Sequence, residues 1–262
     1  MAQNNLIAVT RQANSLSTVA FREKYIPSNL LALAPGVKAA SEDGEQEKTT
    51  KFKDFAIEYK SSGELWSNDD HTGLALMRLI EQTSGADYKL SSKGWDTDAK
   101  ILEMKEEDMR YLIVRPKEPQ TPAADRVEAE NDSATGDSIA GFLSFMLTQE
   151  DGFNVVYIYE VHFHAAFRGQ GLGQHLFRIV DHVGKATGME KVMLTVFRSN
   201  DTAREWYSRR GYEEDENSPR PRRLRGGKIV IADYLIMSKR LLDSSLRNKG
   251  DRIKKRKRKG NA

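Results

Sequence analysis

The sequence predicts an α/β domain built on a mixed sheet that carries helices on both faces. Apolar segments rich in β-branched residues, such as 155–163 and 191–197, alternate with an amphipathic segment at 172–185. With 262 residues the chain can hold one sizeable domain, and its two ends are thinly apolar. The predicted organisation is a partly helical N-terminal extension over 1–50, one folded domain over 51–240 and a basic C-terminal tail over 241–262.

The individual elements follow from residue spacing and from capping residues. Helices are predicted where apolar residues recur every three or four positions, and strands where short β-branched or aromatic runs end at glycine or proline. In the first half these are a helix around 10–22, a turn at Pro27, strands at 55–59 and 111–114, a helix capped by Ser67 or Asn68 that carries Leu74, Met77, Leu79 and Ile80, and a helix at 97–107 with Ile101, Leu102 and Met104 inward. In the second half they are a solvated loop at 117–137, strands at 139–147, 155–163, 191–197 and 229–237, helices from Leu172 and from about Asn200, and an exposed hairpin arm at 218–227.

Composition excludes several kinds of chemistry. The chain has no cysteine, which rules out a disulfide, a thiol nucleophile and a thiolate metal site. The five histidines, at 71, 162, 164, 175 and 182, lack a carboxylate cluster at metal-ligand spacing, so no metal site is predicted. The sequence has neither an apolar run of about 20 residues nor a basic-then-apolar start, so we expect a soluble, intracellular protein with no membrane partner.

Charge is distributed unevenly along the chain. Nine lysines and arginines but only one aspartate lie between 247 and 262, whereas the rest of the chain is net acidic. The run at 254–259 cannot bury itself and predicts a tail that binds a nuclear import receptor or a polyanion, and a merely solvated terminus is the alternative. We therefore expect the protein in the nucleus and the cytoplasm.

Residues Arg168-Gly169-Gln170-Gly171-Leu172-Gly173 lie between a predicted strand and a predicted amphipathic helix. The three glycines permit backbone conformations in which successive N–H groups converge on a phosphate, and the helix that follows adds its partial positive end. A dinucleotide-binding motif would need glycine at 174, and a nucleotide P-loop would need Gly-Lys-Ser/Thr. Neither is present, so the alternatives are a loop that cradles a pyrophosphate and a merely flexible turn.

This loop and a second motif, Asn200-x-x-Ala203-x-x-x-Tyr207-x-x-x-Gly211-Tyr212, together resemble the GNAT acetyltransferase family. The resemblance implies a mixed, mostly antiparallel sheet and acetyl-CoA as cosubstrate. It also implies a β-bulge that lets Tyr159 and Glu160 reach one site and frees backbone N–H groups for the acetyl carbonyl and the pantetheine arm. The implied cofactor-binding residues are Val161, His162, Phe163, Arg168, Gly169, Gln170, Gly171, Leu172, Gly173 and Asn200.

Three segments narrow the resemblance to the N-alpha-acetyltransferase D (NatD) branch of that family, over about residues 50 to 240: Tyr157-x-Tyr159-Glu160-Val161, the strand at 192–197 and Gly94-Trp95. NatD enzymes acetylate the α-amine of histone 4 and histone 2A, whose tails begin Ser-Gly-Arg-Gly, so the resemblance implies histone N-terminal tails as substrates. The implied substrate-binding residues are Tyr88, Trp95, Tyr159, Thr195 and Tyr234. Thr148 stands where a substrate-binding carboxylate is expected, and Glu150 is either its replacement or an ordinary solvated carboxylate.

Acetyl transfer to an amine needs a neutral amine and a proton donor for the leaving thiolate. Glu160 is the candidate base, directly or through a water, and the alternative is a surface carboxylate. Tyr207 is the candidate donor, and the alternative is a core aromatic beside Trp206. Two rival functions remain open: a GNAT enzyme that acetylates lysine side chains or small amines, and a nucleic-acid-binding scaffold with a degenerate fold. We expect a monomer.

Overall fold

The computed structural model describes residues 2–32, 54–67, 71–117 and 139–241. Nearly all of the predicted acidic loop and of the predicted basic tail therefore lie outside the described residues. Within these four ranges, no helix is both long enough and apolar enough to cross a membrane.

A seven-stranded sheet forms the centre of the domain, and a two-stranded ribbon lies beside it. The strands are β1 (Phe55–Ser61), β2 (Arg110–Pro116), β3 (Gly141–Glu150), β4 (Phe153–Phe163), β5 (Lys191–Phe197), β6 (Glu213–Glu214), β7 (Arg222–Arg223), β8 (Ile229–Val230) and β9 (Tyr234–Arg240). Their order across the sheet is β1-β2-β3-β4-β5-β9-β6, and β7 with β8 forms the ribbon. Neighbouring strands are antiparallel except β4 and β5, which are parallel. The predicted mixed, mostly antiparallel sheet is confirmed.

Helices cover both faces of the sheet. They are α1 (Ala2–Asn14), α2 (Thr18–Tyr25), α3 (Ser28–Leu31), α4 (Ser62–Leu65), α5 (His71–Leu90), α6 (Thr97–Met104), α7 (Leu172–Ala186) and α8 (Asp201–Ser208). Successive residues of β2 alternate between two apolar clusters. Leu112 and Val114 belong to the cluster that includes α2 and α7, whereas Tyr111 and Ile113 belong to the cluster that includes α5 and α6. The sheet therefore has two buried faces, as predicted.

The first helices are part of the same core. The single helix predicted at 10–22 is wrong, because Ser17 caps a separate helix α2 by accepting a hydrogen bond from the Ala20 N–H at 3.3 Å. Phe21 of α2 is fully buried and stacks on Tyr59 of β1 with 5.6 Å between ring centroids. The residues assigned to an N-terminal extension thus contribute core side chains to the domain.

Helix α6 differs from its prediction in length and in the face that it buries. It ends at Met104 rather than near 107, and Lys105 caps it. Leu102, predicted to face inward, is 69% exposed, while Lys100 and Met104 are buried. Positions four apart share a helix face, so Lys100 occupies an inward position that an apolar residue was expected to fill.

The last predicted strand is two separate elements. Ile229 and Val230 pair with Arg223 and Arg222 in the ribbon, which confirms the predicted hairpin arm, and β9 begins only at Tyr234. The apolar run at 229–237 suggested one buried strand, but its first two residues are exposed on the ribbon. An apolar pattern alone does not reveal where a chain changes direction.

Gly141 begins β3 directly beside the end of β4. A Cβ atom added here would lie 2.2 Å from ring atom Cδ1 of Phe163 and 2.5 Å from the backbone oxygen of His162. We expect Gly141→Ala to lower the free energy of unfolding by about 2 kcal/mol, measured by urea denaturation, because the neighbouring strand must shift. Gly63→Ala is the matched control, since its Cβ would meet nothing within 4 Å among the described residues. Equal losses in the two variants would contradict the steric explanation.

Candidate active site

The candidate site is a cleft between two strands that stop pairing. Strands β4 and β5 are hydrogen-bonded as far as Ile158 and Leu194, after which β4 continues to Phe163 and β5 to Phe197. A cleft of about 550 Å³ lies along this part of both strands. Backbone groups on the facing edges lose their ladder partners there and are available to a ligand.

Strand β4 carries a bulge at Tyr159. On β3, Ser144 pairs with Glu160 and the next residue, Phe145, pairs with Ile158, so Tyr159 is an extra residue with no opposite partner in this ladder as the structure describes it. The bulge implied by the family resemblance is therefore present. It interrupts the alternation of side chains, and both Tyr159 and Glu160 line the cleft.

Glu160 is a buried carboxylate held by three side chains. Its side chain is 8% exposed, and its Oε1 accepts hydrogen bonds from Lys100 Nζ at 2.8 Å and from Tyr88 Oη at 3.0 Å. Its Oε2 lies 2.6 Å from His162 Nε2. The alternative that Glu160 is a surface carboxylate is excluded by this burial.

These contacts set the ionisation of Glu160 and Lys100, which with Glu103 and Lys93 form a charged cluster beside the cleft. Burial alone would raise the pKa of Glu160, but the hydrogen bond and charge of His162, together with Lys100, lower it to about 2. Burial alone would lower the pKa of Lys100, but Glu160, Tyr88 and Glu103 raise it above its ordinary value. At neutral pH the pair is therefore a carboxylate and an ammonium ion.

His162 is fixed at both ring nitrogens. Its Nε2 meets Glu160, and its Nδ1 lies 2.6 Å from Thr83 Oγ1 on α5. The Thr83 hydroxyl has one proton: when it donates to the backbone oxygen of Leu79, 2.6 Å away, it accepts from the ring, and otherwise it donates to the ring. The predicted cofactor-binding residue His162 therefore uses its side chain to orient Glu160. Within the described ranges, no group of three or more His, Asp or Glu side chains could hold a metal ion.

Aromatic and hydroxyl side chains form one wall of the cleft. Tyr88, Tyr159, Thr195 and Tyr234 all line the cleft, as the resemblance implies. Tyr157 lines it as well, with its hydroxyl 2.5 Å from Thr195 Oγ1. Burial, reinforced by nearby carboxylates, raises the pKa of Tyr159 to about 12, so this phenol stays protonated at neutral pH.

Two predicted substrate-binding residues lie outside the lining of the cleft as the described residues define it. Trp95 meets the Tyr88 ring edge-on, with 5.5 Å between centroids, and packs against the α5–α6 cluster. Trp95 therefore packs against Tyr88 on the side away from the cleft lining. Glu150 lies at the end of β3, where burial and the neighbouring Asp151 raise its pKa.

A hydrogen bond joins the α5–α6 turn to the segment before β9 on the other side of the cleft. The backbone N–H of Ser92, in the turn between α5 and α6, donates to Asp233 Oδ2, just before β9. Both residues line the cleft. This hydrogen bond lowers the pKa of Asp233, so the contact persists as an ion–dipole interaction at neutral pH.

The glycine loop has the predicted backbone conformation at two of its three glycines. The φ angles of Gly169 and Gly171 are +72° and +81°, values that only glycine adopts without strain. A Cβ at Gly169 would meet nothing within 4 Å among the described residues, so this backbone is open to a ligand. Gly173 lies inside the first turn of α7, and its Cβ would make an ordinary 3.6 Å contact with Phe163. The expectation that Gly173 needs an unusual conformation is wrong.

Side chains around the loop hold it against the domain. Leu172 is buried, Arg168 Nε donates to the Phe163 carbonyl at 2.9 Å, and Gln170 Nε2 donates to the carbonyl four residues before it at 3.1 Å. Gly171 caps α7 and has no side chain to satisfy the first N–H groups of the helix. These N–H groups and the positive end of the helix make the loop suitable for an anion such as a pyrophosphate.

Helix α8 carries the second motif. Asn200 caps it, with its Oδ1 accepting from the Ala203 N–H at 3.0 Å, and it also lines the cleft. Tyr207 is 7% exposed and packs on Phe177 with 5.8 Å between ring centroids, yet it lines the cleft too. Burial, reinforced by Glu160, raises the pKa of Tyr207, which keeps the phenol protonated. Tyr207 is thus both a core aromatic and a hydroxyl beside the cleft.

Lys100, Glu103 and Tyr157 line the cleft but were not identified from the sequence. A signal existed for Lys100, because it lies four residues before the inward Met104, and a lysine is almost never fully buried unless it is paired. The signal for Tyr157 was its position two residues before Tyr159 on the same strand face.

The lowered pKa of Glu160 makes the stability of the fold depend on pH. An unfolded glutamate has a pKa of about 4.3, against about 2 in the folded protein. The carboxylate therefore stabilises the fold by about 3 kcal/mol above roughly pH 4.3, and this stabilisation is lost as the pH falls toward 2. We expect the difference in free energy of unfolding between wild type and Glu160→Gln to be largest near neutral pH and to shrink across this interval, as urea denaturation at several pH values would measure.

Glu58→Gln is the control for this prediction. Glu58 is 40% exposed and pairs with Arg115 at 3.1 Å on the surface, so its loss should cost less than about 1 kcal/mol. If the free energy of unfolding lost in Glu160→Gln stayed constant from neutral pH down toward pH 2, the assigned ionisation of Glu160 would be contradicted.

Comparisons with known proteins match the same part of the chain. The sequence profile of the Acetyltransferase (GNAT) family matches residues 95–212. N-alpha-acetyltransferase 40 of Saccharomyces cerevisiae is 29% identical over 197 residues, which is 63% of this chain and 62% of the yeast protein. The uncharacterized N-acetyltransferase YycN of Bacillus subtilis is 28% identical over 78 residues, which is 30% of this chain and 50% of that protein. The chain thus spans less than two thirds of the length of either relative.

Among solved structures, Ard1 of Thermoplasma volcanium has a TM-score of 0.45 and 15% identity, covering 72% of this chain and 99% of that one. The profile match at 95–212 begins before α6 and ends just after α8, so it includes β4, the glycine loop and β5. Those elements build the cleft. The seven-stranded mixed sheet, the bulged and diverging strands and the profile match together show that the chain has the GNAT acetyltransferase fold.

Proposed function

We propose that this protein is an acetyl-CoA-dependent N-alpha-acetyltransferase that acts on the N-terminal amine of histone 4 and histone 2A. The observation that carries the proposal is the position of Glu160, a buried carboxylate on the bulge of a strand that leads to the glycine loop. Similarity to the yeast N-alpha-acetyltransferase 40 supports a protein N-terminus as acceptor. The histone substrate rests on the NatD-like segments at 94–95, 157–161 and 192–197.

The residues present fit coenzyme A. Its pyrophosphate would meet the backbone N–H groups of 169–173 and the start of α7, where the open backbone at Gly169 and the positive helix end suit an anion. Its pantetheine arm contains amides and would hydrogen-bond to the free edge of β4 at 161–163, as an added strand does. When bound, acetyl-CoA supplies the thioester, while the protein supplies binding and orientation.

A protein N-terminus is an easier acceptor than a lysine side chain. Deprotonating an α-amine with a pKa near 7.7 to 8.0 costs about 1 kcal/mol at pH 7, against about 4.6 kcal/mol for a lysine near 10.4. Glu160, with its pKa lowered to about 2, is a weak proton acceptor. We therefore assign Glu160 the task of accepting a hydrogen bond from the amine, which aims the nitrogen lone pair at the acetyl carbon. Water takes the ammonium proton before attack. The second proton, which nitrogen loses as the amide forms and the carbon–sulfur bond breaks, ends on the leaving thiolate, so that coenzyme A is released as a thiol.

Tyr207 is the candidate partner of the leaving sulfur. It lines the cleft from α8, and its raised pKa keeps a proton on the phenol for a hydrogen bond to the developing thiolate. On the acceptor side, Tyr88, Tyr159 and Tyr234 offer rigid rings with a polar end, a wall that suits a small first residue such as serine and excludes a bulky one.

An acetylation assay with acetyl-CoA and a short Ser-Gly-Arg-Gly peptide that also contains one lysine tests the proposal. We expect mass spectrometry to find one acetyl group on the α-amine, little reaction when tryptophan replaces the first serine, and none when the α-amine is blocked. Acetylation of the blocked peptide at its lysine would instead support the rival lysine acetyltransferase.

Glycine 171 tests the coenzyme site separately. Gly171→Ala places a side chain at a φ of +81°, which costs about 1 kcal/mol or more and distorts the loop. We expect the dissociation constant for coenzyme A, measured by calorimetry, to rise at least about tenfold. Gly188→Ala is the matched control, because its φ is +72° but it follows the opposite end of α7. Equal weakening in both variants would mean that strain in the fold, rather than the loop, affects binding.

A further inference from the structure

Lys100 is a buried cation in the cleft to which the mechanism above gives no role. It extends from α6, is 5% exposed and lines the cleft. Its Nζ lies 2.8 Å from Glu160 Oε1 and 3.2 Å from Tyr88 Oη, on the carboxylate that would meet the acceptor amine. Burying a lysine here is costly, so its charge needs a reason beyond packing.

The charges around Glu160 cancel in pairs. Lys100 neutralises Glu160, while Glu103 lies 2.5 Å from Lys100 and 3.3 Å from the more exposed Lys93. In the described part of the chain, the other titratable side chains that face the cluster include His162 and Tyr159 on β4, Tyr88 on α5, Tyr111 on β2 and Tyr207 on α8. The tyrosines are neutral at pH 7. The charges of the four acidic and basic side chains, Glu160, Lys100, Glu103 and Lys93, therefore sum to zero.

This balance decides which form of an amine binds beside Glu160. An uncompensated buried carboxylate would hold the amine as an ammonium ion, which has no lone pair for attack. Because Lys100 already compensates Glu160, a second cation gains little from the carboxylate and still suffers the cost of leaving water. The neutral amine can accept or donate a hydrogen bond here without that cost.

We propose that Lys100 makes the site select the neutral, nucleophilic form of the acceptor amine, so that the proton is left to water before acetyl transfer. This inference rests on the proposed function and deepens it, because it names what makes an α-amine the preferred acceptor. At pH 7 roughly one α-amine in ten is neutral, but only roughly one lysine side chain in 2,500. Lys100 acts through the charge of the cluster and is a positioning residue.

The test is the pH dependence of a single turnover at saturating acetyl-CoA and Ser-Gly-Arg-Gly peptide, because the rate within the complex reports the protonation state of the bound amine. In the wild type we expect the single-turnover rate to fall on the acidic side of the pH–rate profile with a midpoint below the pKa of the free peptide's α-amine, which NMR titration measures. In Lys100→Met, which has similar length and no charge, we expect the midpoint to rise by about one pH unit. The rate then falls roughly tenfold at pH 7 and is recovered at alkaline pH.

The double variant Lys100→Met/Glu160→Gln is the matched control, because it removes both charges and leaves the cluster balanced. We expect its midpoint to return toward that of the wild type, although its maximal rate is lower. A midpoint that stays with Lys100→Met would contradict the proposal, since the shift would not depend on an uncompensated Glu160.

Other results would also overturn the role of Lys100. These are a wild-type midpoint at or above the pKa of the free amine, an unchanged midpoint in Lys100→Met, or a loss of rate that is equal at every pH. The wild-type measurement decides the matter even when the variant fails to fold. A wild type that does not acetylate the free α-amine at all defeats the proposed function and this inference together, whereas an active wild type with an unshifted midpoint defeats the inference alone.

Discussion

The divergence of β4 and β5 is the constraint on which the rest of the site depends. Parallel strands in the middle of a sheet normally share hydrogen bonds along their length, and here that ladder ends at Ile158 and Leu194. Each strand can open on its inner edge because its outer edge stays paired. Strand β3 follows β4 as far as Phe163, and β9 follows β5 as far as Phe197. The sheet thus opens in the middle without exposing an unsupported strand, and the opening ends beside the glycine loop.

The bulge and the buried Glu160–Lys100 ion pair lie at this opening, and the same two residues affect both the candidate site and the stability of the fold. Tyr159 is the extra residue of the bulge and shifts the alternation of side chains along β4 by one position. Glu160 therefore points toward α6 and contacts Lys100. A buried ion pair of this kind contributes little net stability. Removing one partner leaves the other charge buried and uncompensated, which costs about 3–5 kcal/mol of folding free energy. The helix that carries Lys100 is therefore held to the sheet by the same contact that adjusts the site. Substitutions at either residue are therefore expected to affect folding and, under the proposed function, turnover as well.

Much of the fold could be predicted from local signals. Strand β5 has the predicted bounds because its apolar run is short and clearly delimited, and α7 begins at Leu172 because Gly171 precedes an amphipathic face. The conformation of Gly171 followed from its residue type. The bulge came from resemblance to a family, because strict alternation along β4 would have placed Tyr159 and Glu160 on opposite faces.

What could not be predicted depends on partners distant in sequence. Lys100 is buried and Leu102 exposed because Glu160, sixty residues later, compensates the lysine. The spacing from Met104 on α6 favours an inward Lys100, but no local pattern identifies the distant carboxylate that compensates it. The turn before Tyr234 is likewise set by contacts of Arg198, whose N–H and side chain donate to backbone oxygens of Asp233 and Ala232. Such long-range contacts override the local residue preferences that predict where helices and strands begin and end.

The hydrogen bond between Ser92 and Asp233 has a consequence for the shape of an acceptor. It links the α5–α6 turn to the segment just before β9, so the two sides of the cleft are held close together at this point. Under the proposed function, an extended chain end would enter beside this contact more easily than a side chain in the middle of a folded surface, which brings backbone on both sides with it. The proposed acceptor would therefore present extended residues at its N-terminus. A protein whose first residues are packed into a folded domain would be a poor acceptor.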